Sequence, residues 1–255
     1  MITRDYIISL INSNKRFDGR NLLDYRDIKI EYNVSEKNAE GSARVKIGET
    51  EVVAGVKFEV GEPFPDTPDE GTIVVNVELT PLASSEFEIG PPGIDAIEIA
   101  RVIDRGIRES RAIDFKSLCI KEGEKIWLIF IDIYPINDGG NLLDASYLAA
   151  IAALKNARFP ALVEDKVDYK TRKENLKLNF LPIECTVYKI HNKYVIDPTH
   201  EEEKMIDARL TVAIREDGKI CAIQKGGKGP ISDKDFDEML KIAYEKAKEL
   251  RSLLK

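Results

Sequence analysis

Asn137-Asp-Gly-Gly-Asn-Leu-Leu-Asp-Ala-Ser-Tyr-Leu-Ala-Ala-Ile-Ala-Ala-Leu154 is the stretch that decides the reading. A β-rich apolar run, Ile126 to Tyr134, leads into it, Gly139 and Gly140 open it, and an alanine-rich segment continues it. The pattern is strand, tight turn, helix. Backbone N–H groups at such a helix start converge on one point and, with the helix dipole, form a cradle for an anion. The charge that would hold a phosphate there is missing. Asn141, Leu142 and Leu143 follow the glycines, with no Arg, Lys, Ser or Thr in the turn. The frame is that of an enzyme whose chemistry has been removed.

On either side of this stretch the chain reads as strands followed by helices, twice. Tyr6, Ile7, Leu10 and Ile11 have helical spacing. Alternating runs from Ile28 to Val60 predict antiparallel strands with a hairpin turn at Gly48-Glu49, and Gly61 to Gly71 predicts a Pro- and acid-rich loop. A strand over Thr72 to Leu79 precedes a helix over Ile94 to Ala112, and a second helix covers Leu142 to Ala157. Residues 158–178 carry charges of both signs and read as a linker. Strands are then expected near Cys185–Ile190, Lys193–Ile196, Ala208–Ile214 and Ile220–Gln224, with a turn at Glu216-Asp217-Gly218. A capping box, Ser232 to Asp235, precedes a long amphipathic C-terminal helix that buries Phe236, Met239, Leu240, Ala243, Leu250 and Leu254. The fold class is α+β, in two similar halves spanning residues 1–160 and 178–255.

A chain of 255 residues buries a real core, and 43% hydrophobic content is ordinary for a soluble protein. No apolar run approaches the roughly 18 residues that cross a bilayer, and the N-terminus lacks a signal-peptide pattern, so a cytoplasmic protein without a membrane partner is expected. Cys119, Cys185 and Cys221 lie far apart in apolar runs and read as buried free thiols. Abundant Lys, Glu and Ile with a single Gln leans towards a thermophilic source. A net charge of −7 means that any nucleic-acid contact must concentrate positive charge on one face.

Arg101, Arg105 and Arg108 form one stripe on the Ile94–Ala112 helix, with Arg111 at its edge. Arginines one turn apart suit a polyanion, whose phosphates guanidinium groups hold bidentately. The alternative is a solvated face of ion pairs with Glu98, Asp104 and Glu109. Asp197 to Val212 holds five acids in its first eleven residues, but Glu201-Glu202-Glu203 reads as an exposed turn, and Asp207 and Arg209 share a strand face and could simply pair. His191 and His200 show no ligand or triad pattern, and Gly226-Gly227-Lys228-Gly229 lacks the Ser/Thr ending of a phosphate loop and reads as a turn. Neither a metal nor a cofactor is expected.

Taken in order, Arg16-Phe-Asp-Gly-Arg20, the Gly41–Val56 hairpin, Ile97–Ser110, Asp138–Ser146, Asp197–Glu203 and Ile223–Gly229 resemble the ribonuclease PH family over nearly the whole chain. Asp138–Ser146 and Asp197–Glu203 are closest to its non-catalytic branch, that of the archaeal exosome ring. The resemblance implies a duplicated ββαβα-type fold with a ribosomal protein S5 domain-like core and a C-terminal half of strands and helix. It also implies a trimer of heterodimers with a catalytic sister subunit, RNA-binding cap subunits on one face, and single-stranded RNA in a central channel. The sister performs 3′-to-5′ phosphorolysis, in which inorganic phosphate attacks the terminal linkage and releases nucleoside diphosphates. Active members place a small hydroxyl residue and an arginine after the glycines, where this chain has Asn141 and Leu142. They also carry an Asp where Arg209 stands, with Asp207 two residues out of register. The implied role is a non-catalytic subunit that helps structure the sister's active site. It would bind RNA through Arg101 and Arg105, with Arg108 and Arg111 as further candidates. The acidic loop Asp66–Glu70 departs from the basic channel loop of active members and implies a smaller part in threading RNA. Two other readings are an autonomous phosphorolytic 3′-to-5′ exoribonuclease and a nucleotide- or phosphate-binding protein using the Gly139-Gly140 turn.

Overall fold

The computed structural model describes residues 4–163 and 166–254. Its centre is the alanine-rich helix α3, Leu142–Lys155, on which every residue from Leu142 to Leu154 is buried. A helix that is apolar all round must be covered on every side. Small side chains let two sheets and a second helix approach it.

The first sheet has the order β1-β2-β3-β6-β4, with the short β5 also on β6. Its strands are β1 Ile28–Tyr32, β2 Gly41–Ile47, β3 Thr50–Gly61, β4 Thr72–Val77, β5 Cys119–Lys121 and β6 Lys125–Asn137. All pairs are antiparallel except β4 with β6. Alternation along β3 turns Val52, Ala54, Val56 and Phe58 into the core, as the period of two requires. The second sheet, β10-β9-β11-β12, is antiparallel and comprises β9 Ile183–Ile190, β10 Lys193–Ile196, β11 Ala208–Ile214 and β12 Ile220–Gly226. Helix α3 packs on β2, β3 and β6 of the first sheet and on β9 of the second. Helix α2, Ile94–Glu109, lies on β4 and β12, and α5, Asp233–Ser252, covers β9 and β11. The α5 capping box forms as expected: the Ser232 hydroxyl caps the Asp235 N–H, and the Asp235 carboxylate accepts from the Ser232 N–H. Helix α1, Arg4–Asn12, seats Ile7 and Ile11 against Ile190 and Val195.

Four local expectations are revised. The 158–178 stretch is a hairpin of β7, Arg158–Val163, and β8, Lys166–Asn175, rather than a linker. Its outward charges mask the strands, while Phe159 stacks 4.6 Å from Phe58 and anchors the hairpin to the core. Helix α2 ends at Glu109, and Arg111 lies beyond it in the left-handed region (φ 55°). His200–Glu203 is a single turn of helix, α4, with Glu202 buried. Of the three free cysteines only Cys185 is fully buried; Cys119 and Cys221 are half-buried.

Candidate nucleic-acid interface and the filled anion turn

Two features were singled out by the sequence, and the fold places them on different elements. The first is the glycine turn ahead of α3. Gly140 has φ +94°, and a Cβ there would lie 2.5 Å from the Pro198 carbonyl oxygen, so the Asp197–His200 segment packs directly on the turn. Asn141, also left-handed (φ 60°), stands at the N-cap position without a side-chain cap bond. Each N–H of the turn already has an acceptor within the chain. Gly139 donates to Thr50 Oγ1 (3.2 Å), Gly140 to Asp138 Oδ1 (2.9 Å) and Asn141 to Glu203 Oε1 (3.3 Å). The turn ahead of the helix therefore faces a hydroxyl and two carboxylic groups of its own protein, which take its N–H donors and disfavour an external anion there.

Asn141 is wholly buried and fixed on three sides. Its amide donates to Asp144 Oδ2 (3.2 Å) and Asp197 Oδ1 (3.1 Å), and its Oδ1 accepts from the Tyr188 hydroxyl (3.0 Å). Leu142, at the place where the resemblance implies an arginine, is buried too. Burial pushes the Asp144 carboxyl up to about 7, against hydrogen bonds from Tyr25, Thr186 and Asn141 that favour its ionised form. Burial, then the nearby Asp138 charge, likewise raises Glu203 to about 7. The adjoining cleft is lined by Glu86, Asp95, Glu98, Asp138 and Glu203, with His200, Lys204 and Arg209 as its bases. His200 lies 3.5 Å from Glu86 and 3.7 Å from Asp138, whereas His191 is exposed.

Arg209 and Asp207 do not pair. Arg209 reaches Glu98 on α2 (2.8 Å), over Gly226, where any side chain would strike its guanidinium. Asp207 turns the other way and accepts from the His191 N–H (2.6 Å).

The Arg16–Arg20 motif is the part whose role the sequence hid. Arg16 is buried in an ion pair with Glu202 and donates to the carbonyls of Ile196 (2.9 Å) and Asp197 (2.7 Å). Arg20 and Arg26 converge on the Asp197 carboxylate at 2.9 and 2.6 Å, and Arg26 also donates to the carbonyls of Gly139 (2.8 Å) and Gly140 (3.0 Å). Asp197 thus clamps the N-terminal segment, the glycine turn and the second sheet together. No local signal announces a contact about 180 residues apart; excess arginine near the N-terminus facing a later acid run is the only trace.

The second feature is α2. Ala96, Ile103 and Ile107 are buried, Ala100 is half-buried, and Arg101 and Arg105 are exposed on the other face. Arg101 has no hydrogen bond or ion pair among the described residues, and Arg105 makes a single long one to Gln224 Oε1 (3.4 Å). Arg108 differs. It pairs with Asp104 (2.8 Å), donates to Thr72 Oγ1 (3.2 Å) and the Ile73 carbonyl (3.0 Å), and lies over the Phe115 ring. The arginine stripe therefore splits: Arg101 and Arg105 are available to a phosphate, while Arg108 braces α2 on β4. Arg111 is exposed and stands off the helix.

Comparison with known proteins places this arrangement. Models of the 3′ exoribonuclease family match residues 24–160 as domain 1 and residues 181–246 as domain 2. The chain belongs to the 3′ exoribonuclease, or RNase PH, family. Among family members, the exosome complex component Rrp42 of Archaeoglobus fulgidus is 49% identical over 258 residues, covering 100% of this chain and 96% of the relative. The Rrp42 component of Methanothermobacter thermautotrophicus is also 49% identical, covering 98% and 93%. A chain in the solved Archaeoglobus fulgidus exosome with RNA bound to the active site superposes with a TM-score of 0.92 at 49% identity, covering 99% of this chain and 97% of that one. Rice Rrp46 shares the fold alone, with a TM-score of 0.71 at 17% identity and coverage of 94% and 98%. The chain is thus a pair of RNase PH domains in an α+β fold, as its motifs led one to expect.

Proposed function

We propose that this chain is a non-catalytic ring component of an archaeal exosome, divided into domains at residues 1–160 and 178–255. It forms a trimer of heterodimers with a catalytic RNase PH-like sister, helps to structure that sister's active site, carries RNA-binding cap subunits and works in the cytoplasm. RNA is bound during 3′-to-5′ phosphorolysis by exposed guanidinium groups on α2, chiefly Arg101 and Arg105. Arg111 is a further contact, and Arg108 is held back by its intramolecular bonds. The acidic loop Asp66–Glu70, whose Asp69 is paired with Lys116, takes a smaller part in threading RNA.

The observation that carries the non-catalytic reading is the filled turn: Thr50, Asp138 and Glu203 occupy the N–H groups of Gly139, Gly140 and Asn141. Full-length identity of 49% with Rrp42 supports the assembly, and the exposed, weakly held pair of arginines supports backbone contact without sequence readout.

The test is RNA degradation in the presence of phosphate, with the chain alone and mixed with its catalytic sister. Inactivity alone and activity of the mixture well above the sister's own are expected. Release of nucleoside diphosphates by the chain alone would mean that the autonomous enzyme reading is right. In the mixture, the double variant Arg101→Glu/Arg105→Glu should weaken RNA binding while leaving assembly intact; unchanged affinity would remove both residues from the interface.

A further inference from the structure

Beneath the exposed stripe of α2 lies a carboxylate with nothing to do. Glu184, on β9, is 2% exposed, and neither of its oxygens has a hydrogen-bond partner among the described residues. Buried carboxylates are ordinarily paired, because leaving one bare in a low-dielectric interior is costly. The Glu184 side chain lines a small cavity between α2 and the second sheet, together with Val102, Thr211 and Gln224. Arg105 lines the same cavity from the solvent side, and its only bond among the described residues is the 3.4 Å contact with Gln224, itself on the cavity wall. An orphan acid and a loosely held guanidinium therefore line one small space.

We propose that Glu184 is an internal counter-ion for Arg105, a positioning residue that draws the guanidinium into the cavity when RNA is absent and competes with RNA phosphate for it. The competition sets how much of the time Arg105 is presented to solvent, and so tunes the affinity of the α2 surface. In this structure two charges act on Glu184: Asp144 repels its ionised form and Arg209 favours it. Neither occupies it: Arg209 is committed to Glu98 and Asp144 to Tyr25, Thr186 and Asn141. Burial, and next the Asp144 charge, hold the Glu184 proton on well above the usual carboxylate range, and an arriving guanidinium is what ionises it.

The inference rests on Arg105 contacting RNA only in its second half, so two measurements separate the parts. The first needs no RNA. Melting of the wild type, Arg105→Ala, Glu184→Gln and the double variant should be non-additive by about 2 °C, as for residues in direct contact in a chain of this size. Additive shifts would overturn the pairing. Glu184→Gln is nearly isosteric and keeps the fold available for the second measurement, binding of a fluorescent single-stranded oligoadenylate to the full chain mixed with its ring sister. Glu184→Gln should tighten binding about three-fold, the factor expected if Arg105 spends two thirds of its time on Glu184. It should change nothing in the Arg105→Ala background. Equal tightening in both backgrounds would overturn the competition. If Arg105→Ala alone leaves RNA affinity untouched while the melting cycle shows coupling, the RNA-contact reading has failed and the ion pair stands.

Discussion

Replacing Asp197 with Ala tests whether the two halves are held by a buried charge cluster. The Asp197 side chain is fully buried. It accepts from Arg20 Nη1 (2.9 Å), from Arg26 through its backbone N–H (2.8 Å), Nε (2.8 Å) and Nη2 (2.6 Å), and from Asn141 Nδ2 (3.1 Å). Removing it strands two arginines whose side chains are 14% and 12% exposed, with partial relief for Arg20 through Asp18 and for Arg26 through the Gly139 and Gly140 carbonyls. Truncating one partner of a buried, hydrogen-bonded ion pair costs about 3–5 kcal/mol, most of it the desolvation of the charge left behind. For a chain of this size that corresponds to a fall in Tm of roughly 6–20 °C. Asp197→Asn keeps the shape but points an amide N–H₂ at Arg26, so it should recover little. The assay is urea unfolding, with circular dichroism and tryptophan fluorescence recorded together; Trp127 lies in the first sheet, so separation of the two signals would show that the halves part first. A loss below about 1 kcal/mol in both variants would refute the clamp, since that is what an exposed pair contributes.

Four further outcomes are expected. Gly140→Ala should destabilise by about 3 kcal/mol or more, because φ +94° strains any side chain and its Cβ meets the Pro198–His200 backbone at 2.5–2.7 Å; a change within 1 kcal/mol in urea unfolding would contradict the packing. Glu203 keeps its proton to about 7 when folded but loses it near its ordinary 4.5 when unfolded, so the native state binds more protons across that window and stability falls as pH rises through it, then levels off. Glu203→Gln should reduce that slope, leaving the part that Asp144 contributes over the same window, and an unchanged slope between pH 5 and 7.5 would show that Glu203 is not responsible. Added phosphate should leave the melting temperature of the chain unmoved, since the turn donors are taken; a clear rise would mean that an anion seat is open. Arg108→Ala should lower stability by about 1 kcal/mol through its lost bonds to Asp104 and the Ile73 carbonyl, with less effect on RNA affinity than Arg101→Ala; the reverse ranking would place Arg108 on the RNA.

Much of this protein is written locally. Alternation along Thr50–Gly61, the alanine run of α3, the Ser232 capping box and the apolar stripe of α5 each follow from side-chain period and hydrogen-bonding capacity over one or two turns, so their elements are legible without a fold. The missing phosphate ligands at Asn141 and Leu142 are legible for the same reason: identity at a position is a sequence fact. The hairpin over residues 158–175 was hidden because its strands bury only a few residues, and the charges facing water dominate the pattern. Glu202 reads like its two neighbouring glutamates, yet a partner 186 residues away makes it part of the core. The same holds for Asp197 and for the division of the arginine stripe, where Arg108 is held by Ile73 and Arg105 keeps one long bond to Gln224 at a cavity that Glu184 also lines. Composition and spacing determine which residues can carry charge and which face of an element they occupy. Whether that charge meets water, a buried counter-ion or nothing depends on chain segments brought together from afar, and only the tertiary structure decides it.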